Sequence, residues 1–157
     1  MNWEEIVGQK KVVETLKDAI DKERVGHAQL FIGEEGFGVL PLALAYAKEI
    51  LKRENEHAAS KVEHLNHLDL HFSFPVFTEK SNSLSQRLFE DFRNMILENP
   101  YASINDWNEV LDAQNKQLFI SADEVDALNQ KFALKSFEGG TKILIVWRAD
   151  KMNVTAA

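Results

Sequence analysis

Residues 30–42, LFIGEEGFGVLPL, have the glycine spacing of a phosphate-binding loop between a strand and a helix. In the pattern GxxxxGK[ST], backbone N–H groups surround the phosphates, the lysine neutralises their oxygens and the hydroxyl binds magnesium. The glycines are retained at Gly33, Gly36 and Gly38. Val39 stands at the lysine position and Leu40 at the hydroxyl position. The sequence therefore predicts a vestigial phosphate loop without its cation or its metal ligand.

Three neighbouring residues also oppose phosphate binding. Pro41 lacks an amide donor, and we expect it at the first position of the following helix. Glu34 and Glu35 add negative charge, and each contact with a phosphate would cost roughly 1 to 4 kcal/mol. The simpler alternative is an ordinary glycine turn that joins a strand to a helix.

A second apolar run, residues 142–147, helps to decide between a vestigial phosphate loop and an ordinary glycine turn. P-loop ATPases place acidic residues at the end of such a strand, where they hold Mg²⁺ and the attacking water. Here Trp147 and Arg148 occupy the two acid positions. Asp150 lies further along, and we interpret it as an N-cap or surface acid of a following helix. Both halves of the predicted site therefore lack their metal chemistry.

Periodicity places these residues on alternating strands and helices. Helices are predicted at residues 9–22, 41–53, 84–96, 103–111 and 121–132. Strands are predicted at residues 28–32, 70–76 and 142–147. The two later helices begin with Ser103/Asp106 and Ser121/Glu124, which are capping-box pairs. Residues 54–68 are predicted as an irregular connection and 78–83 as a loop. The alternation predicts an α/β fold with a parallel sheet flanked by helices.

Composition and charge argue against several classes of protein. The chain has 157 residues, of which 45% are hydrophobic, so it is long enough for one domain with a core. It has no cysteine, which fits the cytoplasm, and its most apolar stretch, 39–51, is too short to cross a membrane. The net charge of −7 argues against broad binding of DNA phosphates.

The histidines of the connection raise the question of a metal. His64, His67 and His71 are spaced so that their imidazoles could meet around Zn²⁺. No obvious fourth ligand accompanies them, and His71 falls on the predicted polar side of an alternating strand. We therefore favour structural roles for these histidines and predict no metal or other cofactor.

Four segments carry a resemblance to a known family. They are WEEIVGQKKVVETLKDAI, GHAQLFIGEEGFG, ISADEVDALNQKFALKSFEGGTKILIV and ADKMN. They resemble the bacterial clamp loader ATPases, which have an AAA+ fold, and are most similar to the δ′ (delta prime) members of DNA polymerase III. The similarity is good over residues 1–50 and 117–157 and looser between them.

The resemblance implies a role. δ′ members commonly have an inactive ATP site and join a ring with the γ/τ and δ subunits, which loads the sliding clamp onto primed DNA. Residues 1–157 would then be the N-terminal part of an AAA+ nucleotide-binding-like domain. They would end before the arginine-finger motif, the lid and the collar domains. The chain itself would be no enzyme.

Two alternatives remain open at this point. A degenerate AAA+ module could serve as an adaptor in another complex, because a fold does not fix a function. An active NTPase with an unorthodox site is the other alternative, and Mg-dependent turnover by the purified protein would reveal it.

Overall fold

The computed structural model describes residues 1–77 and 84–157, so the predicted loop at 78–83 lies outside the described residues. The α-helices are α1 (Lys10–Asp21), α2 (Val39–Glu54), α3 (Ala58–Glu63), α4 (Phe89–Glu98), α5 (Ile104–Val110) and α6 (Ala122–Ala133). The strands are β1 (Leu70–Ser73) and β2 (Ile143–Val146). Short 3-10 helices cover Trp3–Glu5, Ser85–Leu88 and Ala149–Lys151. No helix in these described ranges is long and apolar enough to cross a membrane.

Strands β1 and β2 form a parallel pair, which confirms the predicted parallel pairing. Their register runs from Leu70 opposite Ile143 to Ser73 opposite Val146. The pairing continues at the carboxyl end, where the Trp147 N–H donates to the Ser73 carbonyl at 2.8 Å. The described sheet therefore has two strands, with helices around it.

The predicted polar face of β1 is wrong, because all four of its residues are buried. The ring of Phe132 in α6 lies 5.3 Å from the ring of His71. On the other face, the ring of Phe89 in α4 lies 5.7 Å from that of Phe72. Helices thus cover both faces, as is typical of strands in parallel sheets.

Helix α2 is the central helix because it contributes to two apolar clusters. Leu40 and Leu44 belong to the main core, which also contains β1 and most of the buried aromatic residues. Leu42 and Tyr46 belong to a second cluster with Leu16 of α1. Since α2 is buried on two sides, its first residue has a fixed position directly after the glycine loop.

Four aromatic residues form the densest part of the main core. The rings of Phe74 and Phe92 stack with their centroids 4.0 Å apart. Trp107 meets Phe92 edge-on at 5.6 Å and donates its indole N–H to the Pro75 carbonyl at 2.8 Å. Trp147, directly after β2, lies 5.5 Å from Phe92. This cluster connects the sheet to α4 and α5.

One predicted capping box is confirmed and the other is only half present. The Ser103 hydroxyl accepts from the Asp106 N–H, and the Asp106 carboxylate accepts from the Ser103 N–H at 2.6 Å. The Ser121 hydroxyl likewise accepts from the Glu124 N–H. The Glu124 carboxylate, however, is buried and accepts from the N–H and the hydroxyl of Ser85.

Several predicted boundaries are wrong. The connection at 54–68 contains α3, because Ala58 and Val62 pack into the core. The helix predicted from residue 84 begins as a 3-10 helix, whose first amide is held by Glu124. The helix expected after Asp150 is only the 3-10 helix Ala149–Lys151.

The strand predicted at residues 28–32 is also wrong. No backbone hydrogen bond joins residues 28–33 to any other described residue. Leu30 and Ile32 are 77% and 87% exposed. Phe31 is partly buried against the second cluster. Gln29 donates from Nε2 to the Tyr46 hydroxyl at 3.1 Å. The segment therefore enters the glycine loop as an irregular chain that is held by the side chains of Gln29 and Phe31.

Candidate functional site

The glycine loop spans Gly33 to Gly38 and ends as the N-cap of α2. Gly38 has φ of 90°, a left-handed conformation that favours glycine. Gly33 serves a different purpose, since a Cβ at this position would lie 2.7 Å from Cγ2 of Val39. Gly36 is also left-handed, with φ of 79°. The loop therefore needs two glycines for its backbone conformation and a third, Gly33, for space beside Val39.

Val39 and Leu40 are the first two residues of α2. The Leu40 side chain is buried in the main core, so it faces away from any ligand held by the loop. Pro41 is the third helical residue, not the first as predicted, because the helix begins directly after Gly38. Its missing N–H costs no helical bond there, since the first turn has no intrahelical acceptors for its N–H groups.

An open cleft of about 250 Å³ lies beside the loop. Residues of α1, of segment 28–32 and of the start of α2 line it, including Val12, Leu30, Phe37, Val39 and Leu42. None of the described residues that line the cleft is charged. The cleft is therefore lined by apolar and uncharged polar side chains, unlike the cationic environment that a triphosphate requires.

The nearest cation to the loop is Arg148, and it is occupied by two carboxylates. Its Nη1 forms an ion pair with Oε1 of Glu35 from the loop. Its Nε and Nη2 donate to the two carboxylate oxygens of Asp150, both at 2.7 Å. Glu35 Oε1 also accepts from the Ile104 N–H at 3.2 Å. One carboxylate of the loop thus contacts both the end of β2 and the start of α5.

The two residues at the predicted acid positions have different environments. Trp147 is buried against Phe92, so it belongs to the core. Arg148 has φ of 60°, an uncommon left-handed conformation for a residue other than glycine. This backbone turn directs the guanidinium towards the loop and away from the core.

The ion pairs keep these groups charged. The hydrogen bond from Arg148 lowers the pKa of Asp150, and the carboxylate in turn raises the pKa of Arg148. Of the two roles that we predicted for Asp150, the N-cap is wrong, because Arg148 itself is the N-cap of the 3-10 helix. Asp150 is instead an exposed acid in the first turn of that helix and is paired with Arg148. With its guanidinium paired to Asp150, Arg148 is a poor counter-ion for phosphate.

The three histidines lie in different environments. The exposed His64 has its Nδ1 2.8 Å from the Ser60 carbonyl, while Nδ1 of the buried His67 accepts from the Asp69 N–H. His71 is buried, its Nε2 has no hydrogen-bond partner among the described residues, and burial lowers its pKa to about 4. Among residues 1–77 and 84–157, no group of three or more potential ligands is placed to hold a metal ion.

Sequence reasoning missed two of these contacts. The ion pair between Glu35 and Arg148 had a signal, because Arg148 stands at a position that normally carries an acid and Glu35 adds an acid to a loop of the phosphate-binding type. Asp69 gave no such signal. Its buried carboxylate accepts from the N–H groups of Phe137 and Glu138 at 2.8 and 2.9 Å, and so holds the turn before β2.

A small parallel sheet, flanking helices and a glycine loop at the start of a helix define a mixed α/β protein, compatible with a fragment of an AAA+ domain. A family model described as DNA polymerase III, delta subunit, matches residues 8–157, and the chain belongs to this family.

A curated relative adds detail to this assignment. The chain is 32% identical over 106 residues to DNA polymerase III subunit delta' of Bacillus subtilis (strain 168). The match covers 62% of this chain and 32% of the relative, so it spans about one third of the relative's length. No solved structure matches the chain significantly.

Proposed function

We propose that this chain is part of a δ′-like clamp loader subunit that takes part in DNA replication without hydrolysing ATP. Its membership of the DNA polymerase III family supports the replication role. In this proposal, residues 1–157 form the N-terminal part of an AAA+ nucleotide-binding-like domain of a cytoplasmic protein.

The pairing of Arg148 carries the noncatalytic part of the proposal. A magnesium-binding acid normally stands at the end of this strand, whereas here a guanidinium is paired with Glu35 and Asp150. Val39 and Leu40 supply neither the cation nor the hydroxyl at the loop. A bound triphosphate would therefore lack the lysine that neutralises its oxygens, and its magnesium ion would lack both the loop hydroxyl and the strand-end acid.

The proposed partners are the γ/τ and δ subunits of the clamp loader. Through them, the protein would act on the sliding clamp and on primer-template DNA. The net charge of −7 supports an action on DNA through partner subunits, because direct binding of DNA phosphates depends on clustered Lys and Arg. The vestigial loop would then serve as a rigid turn into α2.

Affinity purification of the full-length protein from its native cells tests the partner assignment. Recovery of γ/τ and δ in stoichiometric amounts is expected. Recovery of other proteins without these subunits would contradict the clamp loader role and favour an adaptor in another complex.

ATP hydrolysis tests the noncatalytic assignment separately. The purified full-length protein should show no Mg-dependent turnover, and the double variant Val39→Lys/Leu40→Thr should show none either. The variant restores the loop chemistry, but Trp147 and Arg148 still provide no metal ligand. An active γ/τ subunit is the positive control, and a thermal melt checks folding because Leu40 is buried. Turnover above background by either protein would contradict the proposal.

A further inference from the structure

Glu35 has an unusual set of contacts for a residue in a glycine loop. Its carboxylate pairs with Arg148 after β2 and accepts from the backbone N–H of Ile104 in α5. The neighbouring Glu34 has an exposed side chain that makes no ion pair with a described residue. Two adjacent carboxylates thus differ in whether they connect the loop to the rest of the protein.

The contacts of Glu35 differ from those of an isolated surface ion pair. Most exposed pairs contribute little, because ordering two long side chains offsets the attraction. Here Asp150 already orders the guanidinium through two hydrogen bonds. The Ile104 amide is fixed by the helix that it begins. The Glu35 carboxylate therefore meets partners whose positions are already set, which lowers the entropic cost of the contact.

We propose that Glu35 acts as a latch, which holds the glycine loop against β2 and α5 in one conformation without any nucleotide. The carboxylate supplies, from within the chain, a negative group that bridges the loop and the end of β2. This inference rests on the proposed function, in which the loop binds no nucleotide. Helix α2 is already fixed by its burial in two apolar clusters. The glycine loop of a subunit without ATP has no phosphate to hold it, and Glu35 would hold it instead.

Two amide protons report on the latch. The Ile104 N–H donates directly to Glu35, so its exchange with solvent reports the contact itself. The Phe37 N–H donates to the Glu34 carbonyl at 3.3 Å within the loop, so it reports the loop conformation. The Leu44 N–H, inside α2, reports global unfolding.

The experiment measures amide hydrogen exchange by NMR in the full-length protein, without nucleotide or partner subunits. In Glu35→Ala, the Ile104 and Phe37 amides should exchange roughly three- to tenfold faster. The Leu44 amide should change much less. Glu34→Ala is the matched control and should leave the Ile104 amide unchanged.

Arg148→Gln separates a latch from a merely local contact, because the Arg148 side chain bonds to neither reporter amide. It should accelerate exchange at Phe37, and the double variant Glu35→Gln/Arg148→Gln should add little to either single change. Exchange at Phe37 that stays at the wild-type rate in Glu35→Ala or in Arg148→Gln would overturn the latch. So would additive effects of the two glutamine substitutions.

These outcomes are independent of the proposed function. A protein with the latch that fails to bind γ/τ and δ would refute only the clamp loader role. A protein that binds these subunits but shows unchanged exchange would refute only the latch.

Discussion

Segment 28–32 and strand β2 are both short apolar runs that precede a functional position, but they lie in different surroundings. Strand β2 pairs with β1, and its residue Ile145 is buried in the main core. Segment 28–32 has no backbone partner among the described residues, and its Leu30 and Ile32 point into solvent. One run is part of the sheet, while the other is an irregular chain held by the side chains of Gln29 and Phe31.

The difference teaches that an apolar run becomes a strand only where another backbone can pair with it. Burying unpaired N–H and C=O groups costs free energy. An apolar run without a backbone to pair with therefore stays exposed to water. The sheet side of the molecule should therefore be sensitive to substitution and the loop side tolerant. Four predictions test this difference between the two sides, in order from the largest expected effect to the smallest.

Phe92→Ala should cause the largest loss of stability, about 3 to 5 kcal/mol, because it opens a cavity between four aromatic rings. The matched variant Phe37→Ala removes a ring that is 62% exposed on the loop side. It should change the free energy of unfolding by less than about 0.5 kcal/mol. Urea denaturation measures the free energy of unfolding of both variants. Equal losses would contradict the expected difference between the sheet side and the loop side.

Lowering the pH should destabilise the sheet side through His71. Burial, with Lys131 and Lys142 nearby, lowers the pKa of His71 from 6.5 to about 4. Between these values the unfolded chain binds a proton that the folded protein does not, so stability falls as the pH drops. The loss contributed by this group approaches about 3 kcal/mol near pH 4.

Urea midpoints of the wild type and His71→Leu at pH 7 and pH 4.5 measure this effect. The variant should lose clearly less stability than the wild type over this interval, since the leucine cannot be protonated. An identical pH dependence in the two proteins would show that His71 is not responsible.

Asp69→Ala should cost about 2 to 3 kcal/mol, because it leaves two N–H groups of the turn before β2 without an acceptor. Asp126→Ala, at an exposed position of α6, is the matched control and should be nearly neutral. A thermal melt of each variant compares them. If the control lost as much stability as Asp69→Ala, net charge and not the buried acceptor would explain the effect.

The smallest effect is expected at segment 28–32 itself. Leu30→Thr should change the free energy of unfolding by less than about 0.5 kcal/mol, because its side chain is already in water. Ile145→Thr in β2 should cost at least about 1 kcal/mol. A large loss in Leu30→Thr would mean that the segment is packed in solution.

The sequence predicted the elements that depend on local signals. Helix α1 follows from periodicity, and the capping box at Ser103 follows from side-chain chemistry. The apolar run of β2 also gave its position correctly, to within one residue at each end.

Contacts between distant residues could not be predicted in this way. The buried environment of His71 depends on α4 and α6, which cover both faces of β1. The role of Asp69 depends on a turn that lies far away in the sequence. The glycine loop was located by its spacing, but its closure by Glu35 and Arg148 required the fold, which brings the two charges together.

The burial of Leu40 also affects how the loop can evolve. A return to threonine at this position would exchange core packing for a hydroxyl, at a cost of about 2 kcal/mol. Under the proposed function, selection would see this loss of stability long before any gain in phosphate chemistry, because the strand-end positions would have to change as well. Phosphate chemistry at the loop would therefore require compensating changes in the core around Leu40 as well as at the strand end.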